Sequence, residues 1–201
     1  NFLRGAGGND LIDGRDGFDE VDYRDDPGPV TVNLATHQAI DGRGGNDTLL
    51  SIEYVSGSRF GDTLSGSDNT QTEVFRGGAG NDQIDGKGGT DLVDYSDSPA
   101  GVNVNLATGR VSNDGFGDVD SLINIEDVRG SRNFGDIIVG DVGDNVLQGL
   151  GGDDTLDGGA GLDTASYETS PSGVAVTLNG SAAGSASDGW GGTDVLSNIE
   201  V

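Results

Sequence analysis

Asp10, Asp19, Asp82, Asp91, Asp154 and Asp163 each follow a glycine by five residues and precede a small or apolar residue by two. Weaker copies of the pattern give Asp62 and Asp136 a similar place, and Asn145 stands where another aspartate would fall. Carboxylates supplied at a fixed period from glycine-rich loops suit the ligation of a hard divalent cation, which takes oxygens from carboxylates and main-chain carbonyls. Thiolate and imidazole chemistry lack their donors, because the chain has no Cys and a single His, His37. There is no H-E-x-x-H and no G-x-S-x-G, and the repeat does not reproduce His37, where its second copy reads Thr108-Gly109-Arg110. Carboxylate pairs are abundant, but cation ligation predicts them too, so they do not argue for glycoside hydrolysis. The expectation is no enzyme activity in these residues; any catalysis would belong to other parts of a parent protein.

The composition narrows the partners. Of 201 residues, 38 are Gly, and 35 acids face 10 bases for a formal net charge of -25. A glycine share near 19%, against a usual value of roughly 7%, excludes a mostly helical protein. The acid excess argues against nucleic acid and anionic membranes, both of which are bound through Lys and Arg. No apolar run approaches the roughly 18 residues of a membrane span, and no basic-then-apolar leader opens the chain. The missing first Met and the ends inside motifs point to a piece of something longer, in which terminal signals are not legible.

Self-comparison supplies the organisation. Gly5, Gly77 and Gly149 open similar blocks spaced by 72 residues, and the same offset relates Tyr23, Tyr95 and Tyr167 as well as Val32, Val104 and Val176. The expectation is one continuous array over 1–201, with repeats at about 5–76, 77–148 and 149–201, the last truncated. Inside each repeat runs a period of nine, G-G-x-G-x-D-x-U-x with U apolar, in two runs of four at 57–94 and 130–166. Six glycine-rich residues turn tightly, because Gly accepts positive φ. Three residues remain for a strand, with one apolar side chain inward: Ile12, Val21, Leu64, Ile84, Val93, Ile138, Leu147, Leu156.

One inward residue in nine is consistent with two facing parallel sheets wound as a spiral, two nonapeptides per coil. Loops eighteen residues apart then stack on one edge and bring their carboxylates together. Two bare charges about 5 Å apart repel by roughly 3 kcal/mol at an effective ε near 20. Calcium, with six to eight oxygens in flexible geometry, reverses that sign; magnesium demands stricter octahedral geometry.

The stretches GGNDLID (7–13), GGAGND (77–82) and GGAGLD (158–163) resemble the repeats-in-toxin (RTX, hemolysin-type) calcium-binding nonapeptides of type I secreted bacterial proteins. The resemblance implies an all-β parallel β-roll, a β-solenoid with longer β inserts, holding several Ca²⁺ ions between same-side loops. Carried over by position, the ligands are Asp10, Asp19, Asp62, Asp82, Asp91, Asp136, Asp154 and Asp163, with main-chain oxygens of Gly77, Ala79, Gly86, Gly88, Gly149, Gly151, Gly158 and Ala160. Phe60 and Phe134 stand where the fourth glycine belongs, Asn145 replaces an Asp, and the 66–76 loop is two residues long, so sites there should be weak or absent.

Between the nonapeptide runs lie segments of about 35 residues, such as 23–56. Val30, Val32 and Leu34 alternate with Thr31 and Asn33, which predicts a half-buried strand followed by a turn. Each segment then carries D-G-x-G-x-x-D-x-L-x-x-I-E: Asp41, Asp47 and Glu53; Asp114, Asp120 and Glu126; Asp188, Asp194 and Glu200. Two readings stay open, a further calcium loop with these acids as ligands, or an acidic glycine turn whose Glu caps backbone amides.

The expected function is a calcium-binding module that folds with extracellular Ca²⁺, inside a larger secreted or cell-surface adhesin, toxin or hydrolase. The alternative is a polysaccharide-binding module, because similar modules accompany alginate epimerases and large adhesins. The expected partners are calcium ions and, under that alternative, a glycan or cell-surface ligand; as a module the chain should be monomeric. Against the alternative, its nine Arg and one Lys form no cluster in the sequence. Ice binding finds no support, since the third loop positions hold no Thr array.

Overall fold

The computed structural model describes residues 1–179 and 182–201. Regular structure is almost entirely short strand, most of it three residues long, with one 3₁₀ turn at Leu106–Thr108. Two compact units are present: Asn1–Val93 with Asp118–Ile125, and Asp94–Gly117 with Glu126–Val201.

In the first unit one sheet orders Phe2–Leu3, Glu20–Asp22, Tyr54–Ser56, Val74–Arg76 and Leu92–Asp94, the last strand ending at the unit boundary, and every neighbouring pair is parallel. The other sheet orders Leu11–Asp13, Asn46–Leu50, Gln38–Ile40, Thr31–Asn33, Thr63–Ser65, Gln83–Asp85 and Asp120–Ile123. Only Gln38–Ile40 runs antiparallel to its neighbours. In the second unit Asp127–Arg129, Val146–Gln148 and Thr164–Ala165 form one parallel set. The other set runs Arg110–Asn113, Asn103–Asn105, Ile137–Val139, Thr155–Asp157, Thr193–Ser197, Ala182–Ser187 and Ala175–Asn179.

Each unit is therefore a parallel β-roll in which the inserts add antiparallel strands to one sheet. Register makes the core: Val21 pairs with Val55, Val55 with Phe75, and Phe75 with Val93, while Val104 pairs with Ile138, Ile138 with Leu156, and Leu156 with Leu196. All eight of these residues are essentially buried. Each fully buried aliphatic side chain contributes roughly 1.5–3 kcal/mol, so every coil adds about one such contribution per sheet. The alternation at 30–34 appears as the strand Thr31–Asn33, with Val30, Val32 and Leu34 buried. Its third copy differs: Val176 and Leu178 are 47% and 41% exposed, because Ala175–Asn179 is the last strand of its sheet among the described residues.

Candidate metal centre

The loops are held in register by one recurring bond. Beyond the first coil, an acid just before a strand accepts, through one oxygen, the backbone N–H of the residue at the matching place in the preceding coil, which for Asp62 and Asp136 is Val30 and Val102. Asp62 N–H donates to Asp82 Oδ1 at 2.8 Å, Glu73 N–H to Asp91 Oδ1 at 2.9 Å, Asp136 N–H to Asp154 Oδ1 at 2.8 Å and Asn145 N–H to Asp163 Oδ1 at 2.9 Å. The separation is eighteen residues for the last three. Where an insert intervenes it lengthens: Asp10 N–H reaches Asp47 Oδ1 at 3.0 Å, Asp82 N–H reaches Asp120 Oδ1 at 3.0 Å and Asp154 N–H reaches Asp194 Oδ1 at 3.1 Å. The main chain thus satisfies one carboxylate oxygen and leaves the second to the local loop.

That second oxygen divides the loops into two classes. In the first, the second loop position takes a positive φ at Ala6, Arg15, Gly78, Lys87, Leu150 and Gly159, and so does the fourth at Gly8, Gly17, Gly80, Gly89, Gly152 and Gly161. These loops carry Asp10, Asp19, Asp82, Asp91, Asp154 and Asp163. In four of them, those of Asp10, Asp19, Asp154 and Asp163, the Oδ2 atom is buried and accepts no hydrogen bond. Glycine is required at Gly78, where φ is +94° and a Cβ would stand 2.3 Å from the Ser58 carbonyl oxygen.

In the second class the loop satisfies its own acid. Ser58 donates its N–H to Asp62 Oδ2 at 2.6 Å and its hydroxyl to Asp62 Oδ1 at 2.8 Å. Ser131 does the same for Asp136 at 2.7 and 2.8 Å, and Ser67 for Glu73 at 2.8 and 2.6 Å. Glu73 is therefore the sixth-position acid of the long 66–76 loop. Asn145 accepts the Asp141 N–H at 2.9 Å and donates its amide to the Glu126 carbonyl at 2.7 Å. Phe60 and Phe134 fall in this class, which does not use a positive φ at the fourth position.

The main-chain candidates lie against the preceding coil. The carbonyl oxygens of Gly77, Gly86 and Gly158 stand 2.7, 2.2 and 2.2 Å from where Cβ atoms on Gly57, Gly66 and Gly140 would be. Gly88 and Ala160 donate their N–H groups to the carbonyls of Ser67 and Asp141 at 3.2 and 2.9 Å. Ala79, Gly149 and Gly151 lie in the same first-class loops, with Gly151 packed under Trp190.

The D-G-x-G-x-x-D-x-L-x-x-I-E segments do not gather their acids at one point. Asp41 and Asp47 join the Asp10 edge, whereas Glu53 joins the other edge, accepting the Asp19 N–H at 3.1 Å. Glu200 likewise accepts the Asp163 N–H at 3.0 Å, apart from Asp188 and Asp194 on the Asp154 edge. Asp114 Oδ1 caps the N–H groups of Phe116 and Gly117 at 2.9 Å each. Asp120 receives the Asp82 N–H, and the Glu126 carbonyl receives the Asn145 amide. Two tyrosines serve this motif: the Tyr23 hydroxyl donates to Asp47 Oδ2 at 3.1 Å and that of Tyr167 to Asp194 Oδ2 at 2.8 Å. Glu73, the three serines and the tyrosines fasten the loops at positions that the nonapeptide template does not reveal. Their only sequence signal is recurrence, as the Gly-Ser dipeptides at 57, 66 and 130 and the 72-residue offset of the tyrosines.

Burial makes five of the loop carboxylates, Asp62, Asp136, Asp154, Asp163 and Asp194, costly to ionise. It holds Asp154 up at about 7, opposed by the Asp136 N–H and reinforced by the charges of Asp136, Asp194 and Asp188. It holds Asp62 and Asp136 at about 6 despite their hydrogen bonds to backbone amides and to Ser58 and Ser131. Burial also raises Asp163 and Asp194.

The residues fit a hard cation. Asp10, Asp19, Asp41, Asp154, Asp163 and Asp188 each keep a buried Oδ2 without a hydrogen bond, a state that costs a few kcal/mol or more for a charged group unless something supplies positive charge. All donors at hand are oxygens. Among the described residues no three acidic or histidine side chains gather closely enough to hold a metal by themselves, so carbonyls must complete the six to eight ligands calcium takes.

No curated protein matches the chain. The family model described as the RTX calcium-binding nonapeptide repeat, four copies, matches residues 1–21, 69–97 and 132–165. Those segments contain all six of the first-class loops. Over those segments the chain is similar to the RTX calcium-binding nonapeptide repeat, and its fold is an all-β parallel β-roll.

Proposed function

We propose that this module folds as it binds extracellular calcium and serves as a structural, non-catalytic part of a larger secreted protein. The observation that carries the reading is the set of buried Oδ2 atoms without partners, in loops whose backbone is already bent around them. Asp10, Asp19, Asp82, Asp91, Asp154 and Asp163, with neighbouring loop carbonyls, would hold the ions. Calcium would supply positive charge beside the unbonded Oδ2 atoms of Asp10, Asp154 and Asp163. Because the ions bind the folded loops and not the unfolded chain, their binding free energy becomes folding free energy. A low cytosolic calcium level and an external level of about millimolar, where extracellular modules are poised, would then keep the chain unfolded inside the cell and folded outside. No helix among the described residues is long and apolar enough to cross a membrane.

The test is a calcium titration of chelator-treated protein, followed by circular dichroism and Trp190 fluorescence, with magnesium as the control. A cooperative gain of β signal with calcium alone supports coupling, whereas a chain already folded in chelator contradicts it. A second reading, polysaccharide binding, is favoured by an open cleft of about 520 Å³ lined by Ser96, Arg129, Arg132, Leu150, Thr169 and Trp190. It brings two arginines beside the lone Trp, a cluster absent from the linear sequence. A glycan array probed with the calcium-loaded module, and with Trp190→Ala, separates the two readings.

A further inference from the structure

The three D-G-x-G segments, at 41–53, 114–126 and 188–200, lie outside the stretches that match the nonapeptide repeat. All three nevertheless stack directly on a first-class nonapeptide loop and are fastened to it in the same way, the second through Asp82 N–H to Asp120 Oδ1 at 3.0 Å and Val119 N–H to Asn81 Oδ1 at 2.9 Å. In the first repeat Asp10 N–H donates to Asp47 Oδ1 at 3.0 Å and Asn46 N–H to Asn9 Oδ1 at 2.8 Å. In the third, Asp154 N–H donates to Asp194 Oδ1 at 3.1 Å and Thr193 N–H to Asp153 Oδ1 at 2.9 Å.

Between the stacked loops lies a cradle that only a glycine leaves open. A Cβ on Gly45 would stand 1.8 Å from the Gly8 carbonyl oxygen and 2.8 Å from Asp41 Oδ2. On Gly192 it would stand 1.9 Å from the Gly152 carbonyl oxygen and 2.8 Å from Asp188 Oδ2. The carbonyl and the carboxylate oxygen are separated by no more than the sum of those distances. One calcium ion spans that gap with two bonds of roughly 2.3–2.6 Å.

The carboxylate that faces the cradle is preset. Asp41 is 2% exposed and Asp188 fully buried. Asp41 Oδ1 takes the N–H groups of Arg43 at 2.9 Å and Gly45 at 2.6 Å, and Asp188 Oδ1 takes those of Trp190, Gly191 and Gly192 at 2.8, 2.9 and 2.9 Å. In both, Oδ2 is buried without a hydrogen bond. The nonapeptide acids of the same pairs, Asp10 and Asp154, also keep Oδ2 unbonded, while Tyr23 and Tyr167 occupy Oδ2 of Asp47 and Asp194. In both, that buried second oxygen and the carbonyl of the neighbouring loop border the same glycine.

We propose that the turns 41–47 and 188–194 each complete a calcium site of a mixed kind, held between a D-G-x-G-G turn and the nonapeptide loop beneath it. Asp41 with the Gly8 carbonyl, and Asp188 with the Gly152 carbonyl, are its defining ligands. Glu53 and Glu200 take no part, because they lie on the other edge. The second repeat is not included: Asp118 stands where Gly45 and Gly192 stand. The proposal rests on the calcium-binding reading above and adds two sites to it.

The test counts ions on the full chain at saturating calcium, by equilibrium dialysis and elemental analysis, for the wild type, Asp41→Asn, Asp188→Asn, the double variant and Asp163→Asn. Asparagine preserves the turn bonds to Oδ1. The expected result is a loss of one ion in each single variant and of two in the double. A wild type that binds no calcium overturns the general reading. A count that falls in Asp163→Asn but holds in Asp41→Asn and Asp188→Asn overturns this proposal alone. Terbium provides a second readout that does not depend on both variants folding, since Trp190 sits in the 188–192 turn. Selective Trp excitation of the terbium-loaded protein should give sensitised emission that Asp188→Asn abolishes and Asp41→Asn leaves intact; emission unchanged in Asp188→Asn, or absent from the wild type, overturns the proposal.

Discussion

The Ser58 hydroxyl donates to Asp62 Oδ1 at 2.8 Å while the Ser58 N–H donates to Asp62 Oδ2 at 2.6 Å, so one serine satisfies both oxygens of a carboxylate that is 2% exposed. Ser131 and Asp136 repeat the relationship. Removing either hydroxyl takes a bond from a buried acid and should cost about 1–3 kcal/mol. Urea unfolding of Ser58→Ala and Ser131→Ala at saturating calcium measures this cost, and the bound-ion count should not change. Stability equal to wild type would show that the serine does not fasten the loop.

Asp154→Asn should act in opposite directions with and without calcium. Burial and neighbouring acids hold the Asp154 carboxyl at about 7, so in chelator a neutral amide relieves a penalty on the order of 2–4 kcal/mol. In calcium the same change removes a charged ligand. The chelated variant should therefore unfold at higher denaturant than wild type, and the calcium-loaded variant at lower. A shift of the same sign under both conditions would argue against a metal role for Asp154.

Protons should partly replace calcium. Asp62 and Asp136 at about 6 and Asp154 at about 7 lie above the unfolded carboxyl value of 3.8. Between about pH 4 and pH 7 the folded chain holds protons that the unfolded chain has released, so its stability falls as pH rises through that window. In chelator the β signal should thus be stronger near pH 5 than near pH 7.5, and millimolar calcium should flatten the difference. A chelated chain that gains structure as pH rises would contradict this assignment.

Tyr23→Phe leaves Asp47 Oδ2 without the hydroxyl that now donates to it at 3.1 Å, in a site where Tyr23 is 3% exposed. The expected cost is about 1–3 kcal/mol, read as a lower thermal midpoint in calcium. If Tyr23→Phe matches the wild type, the tyrosine packs the insert without serving the acid.

The sequence by itself determined the periods and what they force. Nine residues with one apolar position allow a three-residue strand and a glycine turn, and Ile12, Val21, Leu64, Ile84, Val93, Ile138, Leu147 and Leu156 are all buried as that pattern requires. The absence of Cys and the recurrence of Asp left oxygen-ligated cations as the available metal chemistry. Pattern marked the loop of Asp62 as weaker than that of Asp154, because Phe60 replaces a loop glycine, but it did not show that Ser58 satisfies the acid instead. Their difference is a backbone torsion two residues into each loop, positive at Leu150 and not at Ser58, and torsions follow from stacking on a neighbouring coil. Pattern also could not divide Asp41 from Glu53, twelve residues apart in one motif. The intervening strand Asn46–Leu50 carries the chain across a sheet, so the two acids reach different edges. Which oxygens meet is decided by that strand and by the coil on which each loop stacks, and only the tertiary structure specifies those neighbours.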